Sequence, residues 1–231
     1  MKTALIFDLD GTLIDTPQGI VDTFIATLES MNVTIPEHVD IRATIGMPLE
    51  KAFTRFLGQD ADEELVKFAV GQYQILFKYI VLPRAVELTF AGVEDGLIAL
   101  KKQGYVLAVA TSKVYKSAEA LLKAARLYEH FDLVVGADQV TNPKPHPEMG
   151  HLVMRLLDVT PDQSIMVGDT THDLFMASDA GMRSIAVTYG IHDLATLEAA
   201  KPTWIRDSFE EVVHCIRTAT KDTIAAEFIE G

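Results

Sequence analysis

Residues 4–13 read ALIFDLDGTL, and they join a short apolar run to two aspartates and a glycine. The apolar run, residues 4–7, lacks the alternation of a strand with one solvent-facing side, so it predicts a β-strand buried on both faces. Such a strand belongs in a parallel sheet that helices cover on both sides. The acids that follow it would lie at the carboxyl edge of the sheet, where open α/β sheets bind ligands.

The same pattern recurs along the chain. Four more apolar runs are found at residues 106–110, 133–135, 165–167 and 184–187. Helix-like segments separate the runs, at residues 95–103, 115–127, 147–157 and 173–180. Parallel buried strands need crossover helices, so the sequence predicts an α/β fold with a doubly wound, Rossmann-like parallel sheet.

One interval breaks this rhythm. Residues 17–81 show apolar residues at helical spacing, such as Ile20, Phe24 and Leu28, and no convincing buried strand. The interval is too long for a loop, so it predicts a small α-helical cap domain inserted into the core. The predicted domains are a core of residues 1–16 and 82–231 and a cap of residues 17–81, which would cover the ligand-binding edge as a lid.

Composition narrows the class of protein. The 231 residues include 20 Lys and Arg against 33 Asp and Glu, a formal net charge of -13, which argues against binding to nucleic acid or an anionic membrane. The 48% hydrophobic fraction excludes a disordered acidic chain. The single cysteine, Cys215, favours a reducing compartment, and no targeting segment is evident. We therefore expect a cytoplasmic protein, either a monomer or a homodimer.

The carboxyl ends of the predicted strands carry a small set of reactive side chains. They are Asp8, Asp10, Thr111, Ser112, Asp138, Asp169 and Asp173, with Lys144 in the loop beyond the third strand. Two carboxylates 4 Å apart repel by about 4 kcal/mol at an effective dielectric constant of 20, so a cation must join them. Oxygen ligands without histidine or thiolate indicate a hard ion, and an incomplete protein cage suits Mg²⁺.

With Mg²⁺ present, the side chains take separate roles. Asp8 could contact the metal and attack phosphorus as a carboxylate nucleophile. Asp10 could protonate the leaving group and then deprotonate a water. Lys144 and Thr111 would neutralise and orient phosphoryl oxygens.

Two of the remaining aspartates are candidate metal-binding residues, and Gly11 is a candidate turn residue beside the ligand. Asp169 would complete the metal site. Asp173 stands where it could bind metal-bound water or cap the following helix. Gly11 allows a sharp turn next to the ligand.

The order and spacing of these residues resemble the four motifs of the haloacid-dehalogenase superfamily. The motifs are residues 8–13 (DLDGTL), Thr111-Ser112, Lys144-Pro145 and Gly168-Asp169-Thr170 with Asp173. The insert resembles the type-one cap of that superfamily, and residues 44–49 (TIGMPL) look like its phosphoglycolate phosphatase branch. The resemblance implies hydrolysis of a small phosphate monoester with Mg²⁺.

The resemblance also extends the set of expected site residues. The metal ligands would be Asp8, Asp10, Asp169 and Asp173. The substrate contacts would come from Gly11, Thr12 and Ser112 in the core and from Arg42, Thr44 and Gly46 in the cap loop.

Departures from neighbouring branches favour hydrolysis but leave alternatives. Asp10 argues against dehalogenases and phosphonoacetaldehyde hydrolases, which lack an acid there. Relatives of β-phosphoglucomutase usually carry a cap arginine and a hinge histidine where this chain has Leu49 and Ile20. A phosphomutase remains the alternative, and a non-enzymatic signalling module that is phosphorylated on aspartate is a third hypothesis.

Overall fold

The computed structural model describes residues 2–58 and 61–227, with side chains up to residue 220. Its strands form one parallel sheet with the order β3-β2-β1-β4-β5-β6. The strands are β1 (Ala4–Phe7), β2 (Val106–Ala110), β3 (Leu133–Val135), β4 (Ser164–Gly168), β5 (Arg183–Val187) and β6 (Trp204–Arg206). The predicted doubly wound α/β fold is confirmed.

The helices of the described residues fall into two groups. The first group follows β1 and consists of α1 (Pro17–Ser30), α2 (His38–Arg42), α3 (Leu49–Leu57) and α4 (Glu63–Ile80). The second group accompanies the sheet and consists of α5 (Val93–Lys102), α6 (Tyr115–Ala124), α7 (Glu148–Leu157), α8 (Thr171–Asp179), α9 (Leu194–Ala199) and α10 (Phe209–Glu227). Local chemistry sets several ends: α1 has a proline in its first turn, and Asp62 caps α4 by accepting a hydrogen bond from the Leu65 amide.

The strand order has its reversal point between β1 and β4. Phe7 pairs with Val109 of β2 on one side and with Val167 of β4 on the other. Crossover connections leave these central strands in opposite directions, which opens a crevice at their carboxyl ends. The residues that directly follow β1 and β4 therefore lie side by side, and the Asp8 amide donates to the Val167 carbonyl at 2.9 Å.

Alternate strand residues face two separate hydrophobic layers. On one face Phe7 packs with Phe209 of α10, their ring centroids 5.9 Å apart. On the other face Ile6 belongs to a cluster with Met149 of α7 and Met176 of α8. Both layers exclude water from the sheet, so the strands hold the edge residues in fixed positions.

The segment between β1 and β2 is helical, as the sequence predicts. Phe24 of α1 is the centre of an aromatic cluster, with ring centroids 4.9 Å from Phe53 of α3 and 4.8 Å from Tyr73 of α4. These three rings are almost fully buried, so they join three of the four helices of the insert. The assignment of residues 17–81 as a separate cap domain stays a prediction.

The structure also contains elements that the sequence patterns did not predict, namely β6, α9 and α10. β6 has only three residues, all half-buried at an edge of the sheet, so it lacks a strong apolar run.

One described stretch, Glu63–Arg84, is long and apolar enough to cross a membrane by length and composition alone. Core helices of soluble proteins pass the same test, so this finding is weak evidence for a membrane span.

Candidate active site

Four predicted residues meet at the carboxyl edge of the sheet. Asp8 follows β1, Asp169 follows β4, Asp173 lies in the first turn of α8, and Lys144 comes from the loop after β3. All four are buried. The Lys144 ammonium donates to Asp8 Oδ1 at 2.7 Å, to Asp173 Oδ1 at 2.5 Å and to the Ala110 carbonyl at 3.0 Å. One lysine thus bridges two buried carboxylates.

Burial and, to a lesser extent, neighbouring charges shift the pKa values of the groups in this cluster. Burial raises the pKa of Asp8 to about 7, with Lys144 opposing the rise and Asp173 adding to it. Burial, followed by the charges of Asp8 and Asp173, raises the pKa of Asp169 well above its usual range. Burial alone would lower the pKa of Lys144, but its two carboxylate partners raise it overall. One ammonium does not balance three carboxylates, so a further positive charge would stabilise the ionised site.

The donor atoms fit a hard divalent cation. Asp8, Asp169 and Asp173 each offer a carboxylate oxygen, and these oxygens lie within 4.8 Å of one another. A buried set of oxygen donors is the chemistry that Mg²⁺ prefers. The set contains three of the four predicted metal ligands.

Neighbouring donors fix two of these carboxylates. Thr12 Oγ1 donates to Asp169 Oδ1 at 2.8 Å, and the Ile191 amide donates to Asp169 Oδ2 at 2.9 Å. Asp173 Oδ2 accepts from the amide and the hydroxyl of Thr170, at 3.1 and 2.7 Å. Because these bonds hold both oxygens of Asp169 and one oxygen of Asp173, the two carboxylates keep their orientation when substrate or metal arrives.

Gly11 brings the backbone close to Asp169. Its φ of +81° lies in the left-handed region, and a Cβ at this position would sit 2.2 Å from Asp169 Oδ2. No residue with a side chain fits here without displacing Asp169. Gly11 therefore acts through the turn and the packing of Asp169.

The fourth predicted ligand, Asp10, turns its carboxylate elsewhere. Asp10 Oδ1 accepts from Thr16 Oγ1 at 2.5 Å, and Asp10 Oδ2 lies 3.1 Å from the Lys113 ammonium. The same ammonium lies 4.4 Å from the ring centroid of Phe77 in α4. Lys113 is a site residue that the motifs do not predict, although its place directly after Thr111 and Ser112 could have indicated it.

A cavity of about 820 Å³ opens above these residues. Asp8, Asp10, Thr111, Ser112 and Lys144 line it from the sheet edge. Residues 44–50 and the side of α4 that carries Tyr73 and Phe77 line it from the helical insert. The insert therefore covers the reactive edge, as a cap would.

The predicted substrate contacts divide into two groups. Ser112, Thr44 and Gly46 line the cavity. Gly11, Thr12 and Arg42 are not among its lining residues. Thr12 is fully buried and bound to Asp169, and Arg42 is exposed at the end of α2. Contact of Gly11, Thr12 and Arg42 with substrate stays a prediction.

Thr111, Ser112 and Gly46 differ in the contacts that they make beside the cavity. Thr111 is buried, and its hydroxyl accepts from the Lys113 amide at 3.2 Å. Ser112 Oγ is buried and has no hydrogen-bond partner within residues 2–58 and 61–220, so it is available to a ligand. Gly46 has a φ of +95° and lies close to His172 of the core. A Cβ at position 46 would lie only 3.1 Å from His172 Nδ1.

Comparisons with known proteins agree with this geometry. A family model described as haloacid dehalogenase-like hydrolase matches residues 5–187. The chain is 56% identical to the probable phosphatase IndB of Dickeya dadantii, over 92% of this chain and 93% of that protein. It is 34% identical to pyrophosphatase PpaX of Bacillus thuringiensis strain Al Hakam, over 90% and 94%.

A solved structure shows the same architecture. The crystal structure of a predicted phosphoglycolate phosphatase from Haemophilus somnus superposes with a TM-score of 0.81 at 25% identity. The match covers 93% of this chain and 98% of that one, so it includes the inserted helices as well as the sheet.

Proposed function

The chain belongs to the haloacid dehalogenase-like hydrolase family, and we propose that it is a Mg²⁺-dependent phosphatase. Its substrate is a small-molecule phosphate monoester, phosphoglycolate or a similar metabolite, and the reaction passes through a phosphorylated Asp8. The names of its relatives, a probable phosphatase and a pyrophosphatase among them, support phosphoryl chemistry at this site.

The observation that carries the proposal is the pairing of Asp8 with Lys144 in the buried acid cluster. Asp8 stands at the floor of a cavity, with one carboxylate oxygen held by the Lys144 ammonium at 2.7 Å. A carboxylate that is fixed by one oxygen can present the other to an electrophile. Lys144 also supplies positive charge where phosphoryl oxygens would bind.

The chemical steps follow from these positions. A carboxylate oxygen of Asp8 forms a bond to phosphorus as the bond from phosphorus to the leaving oxygen breaks, and Asp10 gives that oxygen a proton. Asp10 then takes a proton from water as the water oxygen bonds to phosphorus. The bond between phosphorus and Asp8 breaks, which releases phosphate, restores the Asp8 carboxylate and leaves Asp10 protonated for the next cycle.

The metal would be held by Asp8, Asp169 and Asp173. It would supply the positive charge that offsets these carboxylates and the phosphoryl oxygens. Thr12 serves to orient Asp169, and Ser112 and Thr111 offer hydroxyls to the phosphoryl group. Thr44 and Gly46 of the cap, residues 17–81, face the part of the substrate that leaves.

The other proposed properties rest on charge and composition. A net charge of -13 gives no attraction for nucleic acid or anionic membranes, so we propose small metabolites as partners. The single cysteine, Cys215, favours a reducing compartment, so we propose a cytoplasmic location. Leu49 stands where the related phosphomutases carry a cap arginine, which favours hydrolysis over isomerisation.

The experiment that tests the proposal measures phosphate release from a panel of substrates. The panel contains phosphoglycolate, sugar phosphates, nucleotides and pyrophosphate, each with Mg²⁺ and again after chelation. We expect Mg²⁺-dependent release from at least one monoester. Isomerisation of a sugar phosphate faster than phosphate release would replace the proposal with a phosphomutase, and a phosphorylated chain that releases no phosphate would replace it with a signalling module.

A further inference from the structure

The longest helix of the cap, α4, carries an exposed apolar stripe. Its members are Leu65, Phe68, Ile75 and Tyr79, whose side chains are between 41% and 77% exposed. They are four of the ten large apolar side chains that are exposed among the described residues with side chains. A concentration of this kind on one helix marks an interaction surface.

The spacing of the stripe is that of a helix that pairs with another helix. With Gln72 between Phe68 and Ile75, the stripe advances by three, four, three and four residues, which is the a/d pattern of a coiled coil. The residues of α4 that pack inside the protein, Val66 and Val70 among them, lie on a different side of the helix. The stripe is therefore a second seam, separate from the core of the cap.

The residues beside the apolar stripe of α4 indicate which kind of partner the stripe binds. Glu64, Gly71 and Lys78 lie seven residues apart along the same side of the stripe, with the acid at the start of α4 and the base near its end. Two antiparallel copies of this flank place Glu64 of one copy opposite Lys78 of the other, and the reverse. At the midpoint Gly71 meets itself, and no atom lies within 4 Å of where its Cβ would be.

The geometry points to a second copy of this chain as the partner, and we propose a two-fold symmetric dimer formed by antiparallel α4 helices. In this register Leu65 packs on Ile75 of the other copy, and Phe68 packs on Gln72. Such an interface is self-complementary, as two-fold symmetry requires. A parallel pair would separate Glu64 from Lys78 by 14 residues, or about 21 Å along the axis.

The dimer is compatible with the proposed active site and does not depend on it. Val70, Tyr73 and Phe77 line the cavity from another side of α4. Lys78 borders the cavity as well as the stripe, so the interface would adjoin the site. The test below therefore reads molecular mass, which does not require knowledge of the substrate.

The first test determines the mass of the full chain in solution by sedimentation equilibrium over a range of micromolar concentrations. We expect a dimer that dissociates on dilution, and we expect the double variant Phe68→Glu/Ile75→Glu to have the monomer mass with an unchanged circular dichroism spectrum. Leu156→Glu places a glutamate on an exposed apolar position of α7, outside the stripe, and it should leave the dimer intact. A native chain that is monomeric throughout, or a dimer that survives the double variant, would overturn the proposal.

The second test examines the antiparallel register. Glu64→Lys places lysine opposite Lys78 and should weaken the dimer at least about tenfold, whereas Glu64→Lys with Lys78→Glu should restore it. If the two variants weaken the dimer equally, this register is wrong. A monomeric chain that cosediments with phosphatidylcholine vesicles would instead assign the stripe to a membrane surface.

Discussion

At the scale of single residues, the site depends on the imbalance between one ammonium and three carboxylates. Lys144 contacts two of the acids directly, and the third, Asp169, is held by Thr12 and an amide. A buried ion pair of this kind adds little to folding stability, because the desolvation of its charges offsets their attraction. Its cost is consistent with a chemical role, namely binding a cation and a phosphoryl group.

The hydroxyl of Thr12 provides the first prediction. Thr12→Val removes the donor to Asp169 Oδ1 with little change of volume, so Asp169 loses part of its orientation. We expect the Mg²⁺ affinity to fall roughly 10-fold to 100-fold, measured by calorimetric titration of Mg²⁺ into the folded variant. Thr12→Ser keeps the hydroxyl and should bind Mg²⁺ nearly as well as the native chain. Native affinity in Thr12→Val would show that the hydrogen bond does not orient a metal ligand.

Lys113 provides the second prediction. Its ammonium lies 3.1 Å from Asp10, so Lys113→Gln removes the charge that positions the proposed acid and base. We expect kcat to fall about 10-fold to 100-fold, with a smaller change in KM, in a phosphate-release assay. Lys116→Gln is the matched control, because Lys116 is an exposed lysine that lines the same cavity. Equal losses in the two variants would mean that general cavity charge, and not the contact with Asp10, matters.

Sequence patterns predict some of these residues and not others. Asp8, Asp169 and Lys144 could be predicted because strand ends in a parallel sheet share one edge, whatever the details of packing. The surroundings of Thr12 and Arg42 could not be predicted, since the direction of a side chain in a turn or short helix depends on its tertiary neighbours. Thr12 turns toward Asp169, and Arg42 ends in solvent.

At the scale of elements, the central strands matter most for the site. β1 and β4 are neighbours in the sheet although more than 150 residues separate them in the chain. Their buried apolar runs make them predictable, whereas β6 and α10 have weaker sequence signals. β6 is too short to show a run, and α10 becomes an ordered helix through packing such as that of Phe209 on Phe7.

The aromatic cluster of the insert provides the third prediction. Phe53 is fully buried against Phe24 and Tyr73, so Phe53→Ala leaves a cavity among three helices. We expect the free energy of unfolding to fall by about 3–5 kcal/mol, measured by urea denaturation. Phe175→Ala truncates a phenylalanine that is 44% exposed, and it should cost much less. A loss for Phe53→Ala no larger than for this control would contradict the packing described for the insert.

At the scale of the whole molecule, the sheet and the insert contribute different parts of the candidate active site. The sheet supplies the acids and Lys144 at a rigid edge, and the insert covers a cavity of about 820 Å³ above them. A net charge of -13 does not attract anionic substrates over long distances, so capture depends on local positive charge in the cavity. Among the described residues, that charge comes from the lysines that line the cavity, Lys144, Lys113, Lys116 and Lys78.

Asp8→Asn tests most directly whether Asp8 is the nucleophile of a phosphatase. Asparagine keeps the shape of the side chain, so the variant should fold normally. Its amide is a far weaker nucleophile than a carboxylate. We predict that Mg²⁺-dependent phosphate release, from p-nitrophenyl phosphate or from a substrate found in the panel, falls at least about a thousandfold. A folded Asp8→Asn variant that releases phosphate at a rate close to that of the native chain would contradict the account.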